Sequence, residues 1–252
     1  AMARPLAGRV AIVTGAGRGI GKAIAARLAS DGATVVVCDL EAETAARSVA
    51  DLGGGPGLVP FAGNLARRED AERLVDGTMA RFGRIDILVN NAGGGIIRPF
   101  LDHTPETLVE TIDRNLWTAI WCSWVVLPHM KAAGRGRIVN IGADSVRNGL
   151  VDHAAYNAAK GGVHGMTTGL AREFARDGIT VNTVAPCVVD TQQLEDIRKV
   201  NPELIEQVYA VVPMGRGGKE SEIASMVAYL CLDEAAFITG QVISVNGGTT
   251  ML

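Results

Sequence analysis

Val10-Ala11-Ile12-Val13-Thr14-Gly15-Ala16-Gly17-Arg18-Gly19-Ile20-Gly21 starts as an apolar, β-branched run, passes through a glycine-rich turn, and leads into Ile20–Ser30, where apolar residues recur at helical spacing. Glycine lets a backbone turn tightly and approach a ligand closely. A helix N-terminus offers unpaired amide N–H groups and the positive end of the helix dipole, which together attract a pyrophosphate. Gly15, Arg18, Gly19, Ile20 and Gly21 are therefore candidates to hold the phosphates of a dinucleotide. The strand–turn–helix setting distinguishes them from an ordinary glycine-rich loop.

The alternation continues outward from this turn. Thr34–Cys38, Leu58–Ala62, Ile85–Asn90, Arg137–Gly142, Thr180–Val184 and Val242–Val245 join Val10–Thr14 as short runs, most of them continuously apolar. That pattern belongs to parallel strands covered on both faces. Arg67–Phe82 and Glu106–Lys131 carry helical spacing, and Gly32, Gly83 and Gly178 stand where helices can end in a left-handed residue. The expectation is an α/β fold, one Rossmann-type, doubly wound, seven-stranded parallel sheet spanning residues 1–252. Residues 1–8 read as an N-terminal tail. Asp190–Lys219 shows no strand pattern; it is either a substrate lid after the sixth strand or a peripheral helix pair, and its place at a strand's carboxyl end favours the lid.

Asp39-Leu40 closes the second strand run. A carboxylate there accepts hydrogen bonds from ribose hydroxyls and repels a 2′-phosphate, so Asp39 favours NAD over NADP. Arg18 acts in the opposite sense, but burying like charges costs more than one exposed arginine returns.

Composition removes other function classes. The 252 residues are 48% hydrophobic and carry a net charge of −3, which provides no basic face for nucleic acid or an anionic membrane. No apolar run is long enough to cross a bilayer, and no signal-peptide pattern is present, so a cytoplasmic location is expected. Cys38, Cys122, Cys187 and Cys231 form no Cys-x-x-Cys pair and read as free thiols. His103, His129 and His164 show no metal-ligand spacing, so no metal is expected.

Tyr156-Asn157-Ala158-Ala159-Lys160 puts a phenol and an ammonium on one helix face. A nearby cation favours the phenolate, bringing Tyr156 towards the working range of a general acid/base. Taken alone, such a pair is usually a surface contact. Here it stands in order with Thr14-Gly15-x-x-x-Gly19-Ile20-Gly21, Asn90-Asn91-Ala92-Gly93, Asn115, and Pro186 followed by Val189 and Thr191. On these motifs the chain resembles the short-chain dehydrogenase/reductase family over essentially all of residues 6–249.

The resemblance implies hydride transfer between NAD(H) and a secondary alcohol or ketone. It makes Tyr156 the catalytic acid/base and Lys160 its partner, which also holds the nicotinamide ribose. Asn115 would anchor a water in a proton relay. Asn91, Ala92 and Gly93 would line the adenosine and ribose, and Asn64-Leu65 would meet the adenine. Pro186, Val189 and Thr191 would contact the nicotinamide carboxamide. The family commonly forms homotetramers through the helices bearing Asn115 and Tyr156 and through the region Val242–Leu252. Trp117, Trp121 and Trp124 add an apolar face to the first of these helices.

One departure bears on the chemistry. The family places a Ser 13 residues before the Tyr to hydrogen-bond the substrate oxygen, and here Ala143 stands there. Losing such a donor costs about 10²–10³ in rate. Ser145 is a candidate to reach in, the substrate can bring its own polar group, or the chain carries a disabling change. Gly94, His153 and Cys187, the last replacing the usual Gly after Pro186, are candidates to line the substrate beside Ala143. Arg98 and Arg147 are candidate carboxylate ligands or ordinary surface arginines. Arg198 and Lys199 at the lid's tip allow for an apolar substrate with an acidic tail. Residues 138–191 and 238–250 look most similar to alicyclic alcohol dehydrogenases of aromatic-acid degradation, including 2-hydroxycyclohexanecarboxyl-CoA dehydrogenase. Residues 100–130 resemble cis-dihydrodiol carboxylate dehydrogenases. A 3-oxoacyl-thioester reductase, or a cofactor sensor with weak turnover, are the alternatives.

Overall fold

The Val10–Val13 run forms strand β1, buried at every position. A computed structural model describes residues 4–251. It shows a seven-stranded sheet in the order β3-β2-β1-β4-β5-β6-β9, parallel at every pairing. The strands are β2 (Thr34–Asp39), β3 (Leu58–Ala62), β4 (Ile87–Asn90), β5 (Gly136–Ile141), β6 (Ile179–Pro186) and β9 (Val242–Val245). The strand order reverses between β1 and β4, which opens a crevice at their carboxyl ends where such sheets bind ligands.

Helices cover both faces. Ile24, Ala25 and Leu28 of α1 (Gly19–Ser30) and Ile223, Val227 and Leu230 of α10 (Glu220–Cys231) pack on one. Leu74 and Val75 of α3 (Arg68–Phe82) pack on the other, with Val126, Leu127 and Met130 of α5 (Thr118–Ala133) and Ala171 of α7 (Ala154–Phe174). Each fully buried Leu, Ile or Val contributes about 1.5–3 kcal/mol through removal from water. Gly83 closes α3 in the left-handed region, as its sequence position predicts.

The structure differs from the sequence expectation in three places. Residues 1–3 lie outside the described residues, but the rest of the expected 1–8 tail is not loose: Leu6 is 1% exposed in the core, and its N–H donates to Asp31 O at 2.9 Å. The continuous helix expected over Glu106–Lys131 is interrupted. It runs as α4 (Pro105–Ile112), a π-helical turn at Asp113–Trp117, then α5. The stretch Asp190–Lys219 has strands at both ends: β7 (Val189–Asp190) and β8 (Gly218–Lys219) pair in parallel. This ladder is too short to register as a hydrophobic run. Between them stand α8 (Gln192–Val200) and α9 (Pro202–Ala210), a helix pair rooted at one place. Leu252 of the expected interface region lies outside the described residues.

Candidate active site

The glycine turn is shaped by the absence of side chains. Gly15 and Gly19 have φ of +60° and +58°, a region costly for other residues. A Cβ on Gly15 would lie 2.8 Å from Ala92 Cα, and one on Gly21 would overlap Gly15 O. Neighbouring strands brace the turn. Thr14 Oγ1 accepts from Asn91 N–H (3.0 Å) and Ala92 N–H (2.9 Å), and Asn91 Nδ2 donates to Gly15 O at 3.0 Å. The Asn91 amide nitrogen thus braces the turn. A Cβ on Gly17 would overlap the Asp39 carboxylate, which places Asp39 directly over the turn. Arg18 is the exposed residue preceding α1, whose N-terminus has no side-chain cap. Backbone cradle, open helix end and carboxylate together fit a dinucleotide.

The flanking positions vary. Leu40 is exposed and Leu65 buried. Asn64 Oδ1 accepts from Ala66 N–H at 3.1 Å. Val189 is buried in the core, and Pro186 O accepts from Asp144 N–H at 2.9 Å. Thr191 caps α8, its hydroxyl accepting from Leu194 N–H.

Tyr156 and Lys160 stand one turn apart near the start of α7. Lys160 is 4% exposed, and its Nζ lies 5.9 Å from the centre of the Tyr156 ring. The ammonium donates to Ile141 O at 2.9 Å. Burial pushes the Tyr156 phenol up to about 12 and the Lys160 amine down to about 8. This corrects the expectation that the ammonium lowers the phenol. In this arrangement desolvation outweighs the cation, whose hydrogen bond goes to the backbone.

Asn115 lies in the π-helical turn and is 1% exposed. Its Oδ1 accepts from Gly94 N–H and its Nδ2 donates to Gly94 O, both at 2.9 Å, with a further bond to Thr111 O. The side chain therefore clasps the loop after β4. π turns recur at functional sites. Gly93 lies inside this clasp; a Cβ there would overlap Asn115 Oδ1 and come within 3.4 Å of Lys160 Nζ. Gly95 reaches the phenol, where a Cβ would lie 3.8 Å from Tyr156 Cδ2. His153 stacks edge-on to Tyr156 at 5.9 Å and is tied to Val151 O.

Ala143 is buried and presents a methyl group where the resemblance calls for a hydroxyl. Its N–H donates to His164 Nε2 at 3.2 Å. The Ser145 hydroxyl donates to Asn157 Oδ1 at 2.6 Å, and Asn157 Nδ2 returns a bond to Ser145 O. The Ser145 hydroxyl proton is thus given to Asn157 in this structure. Arg147 also serves the fold, donating to Ser244 Oγ and Val242 O. Arg198 pairs with Glu195 and Tyr209, and Lys199 with Asp196, all on the exposed lid.

Two networks had no signature in the sequence. Asp144, fully buried, accepts from Ser244 Oγ (2.9 Å), Asn246 Nδ2 (3.0 Å) and Thr250 Oγ1 (2.8 Å), pinning the C-terminal segment beside the site. Cys187 Sγ donates to Asn246 O, and Met214 N–H at the lid's far root donates to Gly247 O. Beneath the site, Asn90 bonds Asn140, Asn140 bonds Thr167, and Thr167 bonds Thr183. Each of these groups is polar and isolated in sequence, so only the fold brings them together. Cys122 and Cys231 are free and buried, their thiols pushed up to about 12 by desolvation. Among the described residues, no three His, Cys, Asp or Glu side chains group to hold a metal, and no helix is long and apolar enough to cross a membrane.

Residues 15–250 match the family model described as enoyl-(acyl carrier protein) reductase. A 2,3-dihydroxy-2,3-dihydro-p-cumate dehydrogenase of Pseudomonas putida is 58% identical over 99% of this chain and 97% of its own length. A 3-oxoacyl-(acyl-carrier-protein) reductase of Vibrio cholerae is 41% identical over 98% of this chain and 99% of its own. A tropinone reductase homologue of Arabidopsis thaliana is 36% identical over 98% and 94%. With the parallel sheet, the glycine turn and the Tyr156–Lys160 helix in place, the chain belongs to the short-chain dehydrogenase/reductase family of oxidoreductases.

Proposed function

We propose that this chain is an NAD-dependent dehydrogenase that oxidises one hydroxyl of an alicyclic vicinal diol carrying a carboxylate. Tyr156 takes the hydroxyl proton as a phenolate, the form that the Lys160 ammonium favours when turned towards it. The observation that carries this reading is the methyl group of Ala143 with Ser145 already engaged: the protein leaves a donor position open, and a substrate with a second, adjacent hydroxyl brings its own. The relative that is 58% identical is named for a substrate with two adjacent hydroxyls on a dihydro ring.

A bound nicotinamide would supply the hydride acceptor. Gly15–Gly21 would hold the pyrophosphate, and Asp39 would accept from the ribose hydroxyls and disfavour a 2′-phosphate. Lys160 keeps its proton at neutral pH, and its charge is available to a phenolate once Nζ leaves Ile141 O. Asn115 holds Gly93–Gly95 against Tyr156. Ile97 and Val151 offer exposed apolar surface on the loops flanking Tyr156. Arg98, which forms no ion pair among the described residues, is the candidate for the carboxylate. The α8–α9 pair serves as the lid. The assembly proposed is a homotetramer. Its support is the apolar groove between α5 and α7, lined by Trp124, Leu127, Met166, Leu170 and Phe174, with Trp124 57% exposed.

A panel of cyclic diols, cyclic mono-alcohols and 3-oxoacyl thioesters, each with NAD(H) and NADP(H), tests the reading. The expected result is oxidation of ring diols with NAD, with mono-alcohols slower by about 10² for want of the second hydroxyl. Activity confined to 3-oxoacyl thioesters with NADPH would overturn it.

A further inference from the structure

Glu220 begins α10 and lies against the glycine turn: a side-chain carbon on Gly19 would sit 3.8 Å from Glu220 Oε1. Gly19 itself begins α1, so two helix N-termini converge on one carboxylate. α1 has no acidic residue in its first turn and no side-chain cap, which leaves its first amides without a side-chain acceptor. Among the described residues Glu220 forms no hydrogen bond or ion pair. Glu222, on the same turn of helix, is committed to Arg216 and Lys219 N–H, and Lys22 is drawn to Asp51 at 2.5 Å. Burial holds the Glu220 carboxyl above its ordinary range, with Lys22 opposing. A part-buried, unpaired carboxylate at the positive end of a helix has an electrostatic reason to be there. It lies beside Gly19, the first residue of α1, at the helix end to which the dinucleotide reading assigns the pyrophosphate.

We propose that Glu220 tunes dinucleotide affinity downward, its carboxylate opposing the pyrophosphate at the N-terminus of α1. This inference rests on the dinucleotide reading of the turn. Like charges held several ångströms apart at a protein surface repel appreciably, and salt screens the repulsion. The benefit to an oxidoreductase is faster cofactor exchange, since release steps set turnover in many enzymes.

Titration calorimetry with ADP-ribose and with adenosine, on the full chain and on Glu220→Gln, tests the proposal without turnover. ADP-ribose is expected to bind the variant about three- to tenfold more tightly, with the gain shrinking as ionic strength rises. Adenosine, which lacks the pyrophosphate, is expected to bind both proteins alike. Unchanged or weaker ADP-ribose binding overturns the proposal, and so does an equal gain for adenosine, which would indicate a reshaped pocket. Failure of the unmodified chain to bind ADP-ribose at all would sink the dinucleotide reading itself, and the proposal with it. Glu220→Ala provides a second variant, and thermal unfolding midpoints confirm that both fold.

Discussion

The turn after β1 and the turn after β5 leave the same edge of one sheet, yet they are built by different means. Gly15–Gly21 is a backbone object, in which positive φ angles and missing side chains leave room that only glycine allows. Its braces, Thr14 and Asn91, sit at the ends of adjacent strands. Ala143–Ser145 is a side-chain object. Asp144 gathers Ser244, Asn246 and Thr250 from about a hundred residues away, Ser145 is held by Asn157, and Ala143 by His164. The first turn tolerates almost no added atom. The second tolerates change wherever its bonding partners can be replaced. Binding of a common cofactor suits the first kind of construction, and selection of a particular substrate suits the second.

Tyr156→Phe separates the two regions most sharply. Turnover is expected to fall about 10²–10⁴-fold with loss of the acid/base, while ADP-ribose affinity stays the same; a variant that still turns over would place the chemistry elsewhere. Gly21→Ala should do the converse. Its Cβ meets the carbonyl of Gly15, so stability falls by about 1–3 kcal/mol and ADP-ribose affinity falls with it, measured by denaturant titration and calorimetry. If it binds normally, the turn is softer than its contacts imply.

Asp144→Ala leaves three donors without their acceptor, Asn246 Nδ2 buried and the Ser244 and Thr250 hydroxyls part-buried, and is expected to cost about 1–3 kcal/mol. Hydrogen exchange should quicken over residues 244–250 and KM for substrate should rise, with Asp144→Asn milder in both. Unchanged exchange there would detach the C-terminal segment from the site. Ser145→Ala is expected to lower turnover by less than about tenfold, because its hydroxyl serves Asn157; a loss near 10² would restore Ser145 as the substituted donor.

The smallest effect concerns His164. Burial, Arg147 and Lys160 lower its imidazole to about 4, from an ordinary value near 6.5. The unfolded chain therefore takes up a proton that the folded one refuses. The stability contribution of His164 is complete above pH 6.5 and drains away as pH falls towards 4. His164→Gln keeps an acceptor for Ala143 N–H and cannot charge, so its melting temperature should decline less across that window. Parallel curves for the two proteins would remove His164 from the account.

Much of the fold was legible because its signals are local. Unbroken apolar runs mark parallel strands, and Gly83 marks a helix end. The Tyr156–Lys160 pair was legible from helical spacing, but its electrostatics were not, since desolvation depends on what the rest of the chain packs around it. The π turn at Asn115 was hidden because α4 and α5 share one apolar pattern on either side of it. The β7–β8 ladder was hidden because two residues make no pattern.

Where the chain turns and which runs become strands could be read from residue order, because glycine content and hydrophobic period act over a few residues. That Lys160 bonds Ile141 O, that Ser145 bonds Asn157, and that Glu220 lies beside Gly19 emerged with the folded chain. Those outcomes depend on distances between segments far apart in the chain, which are set by how helices pack on the sheet.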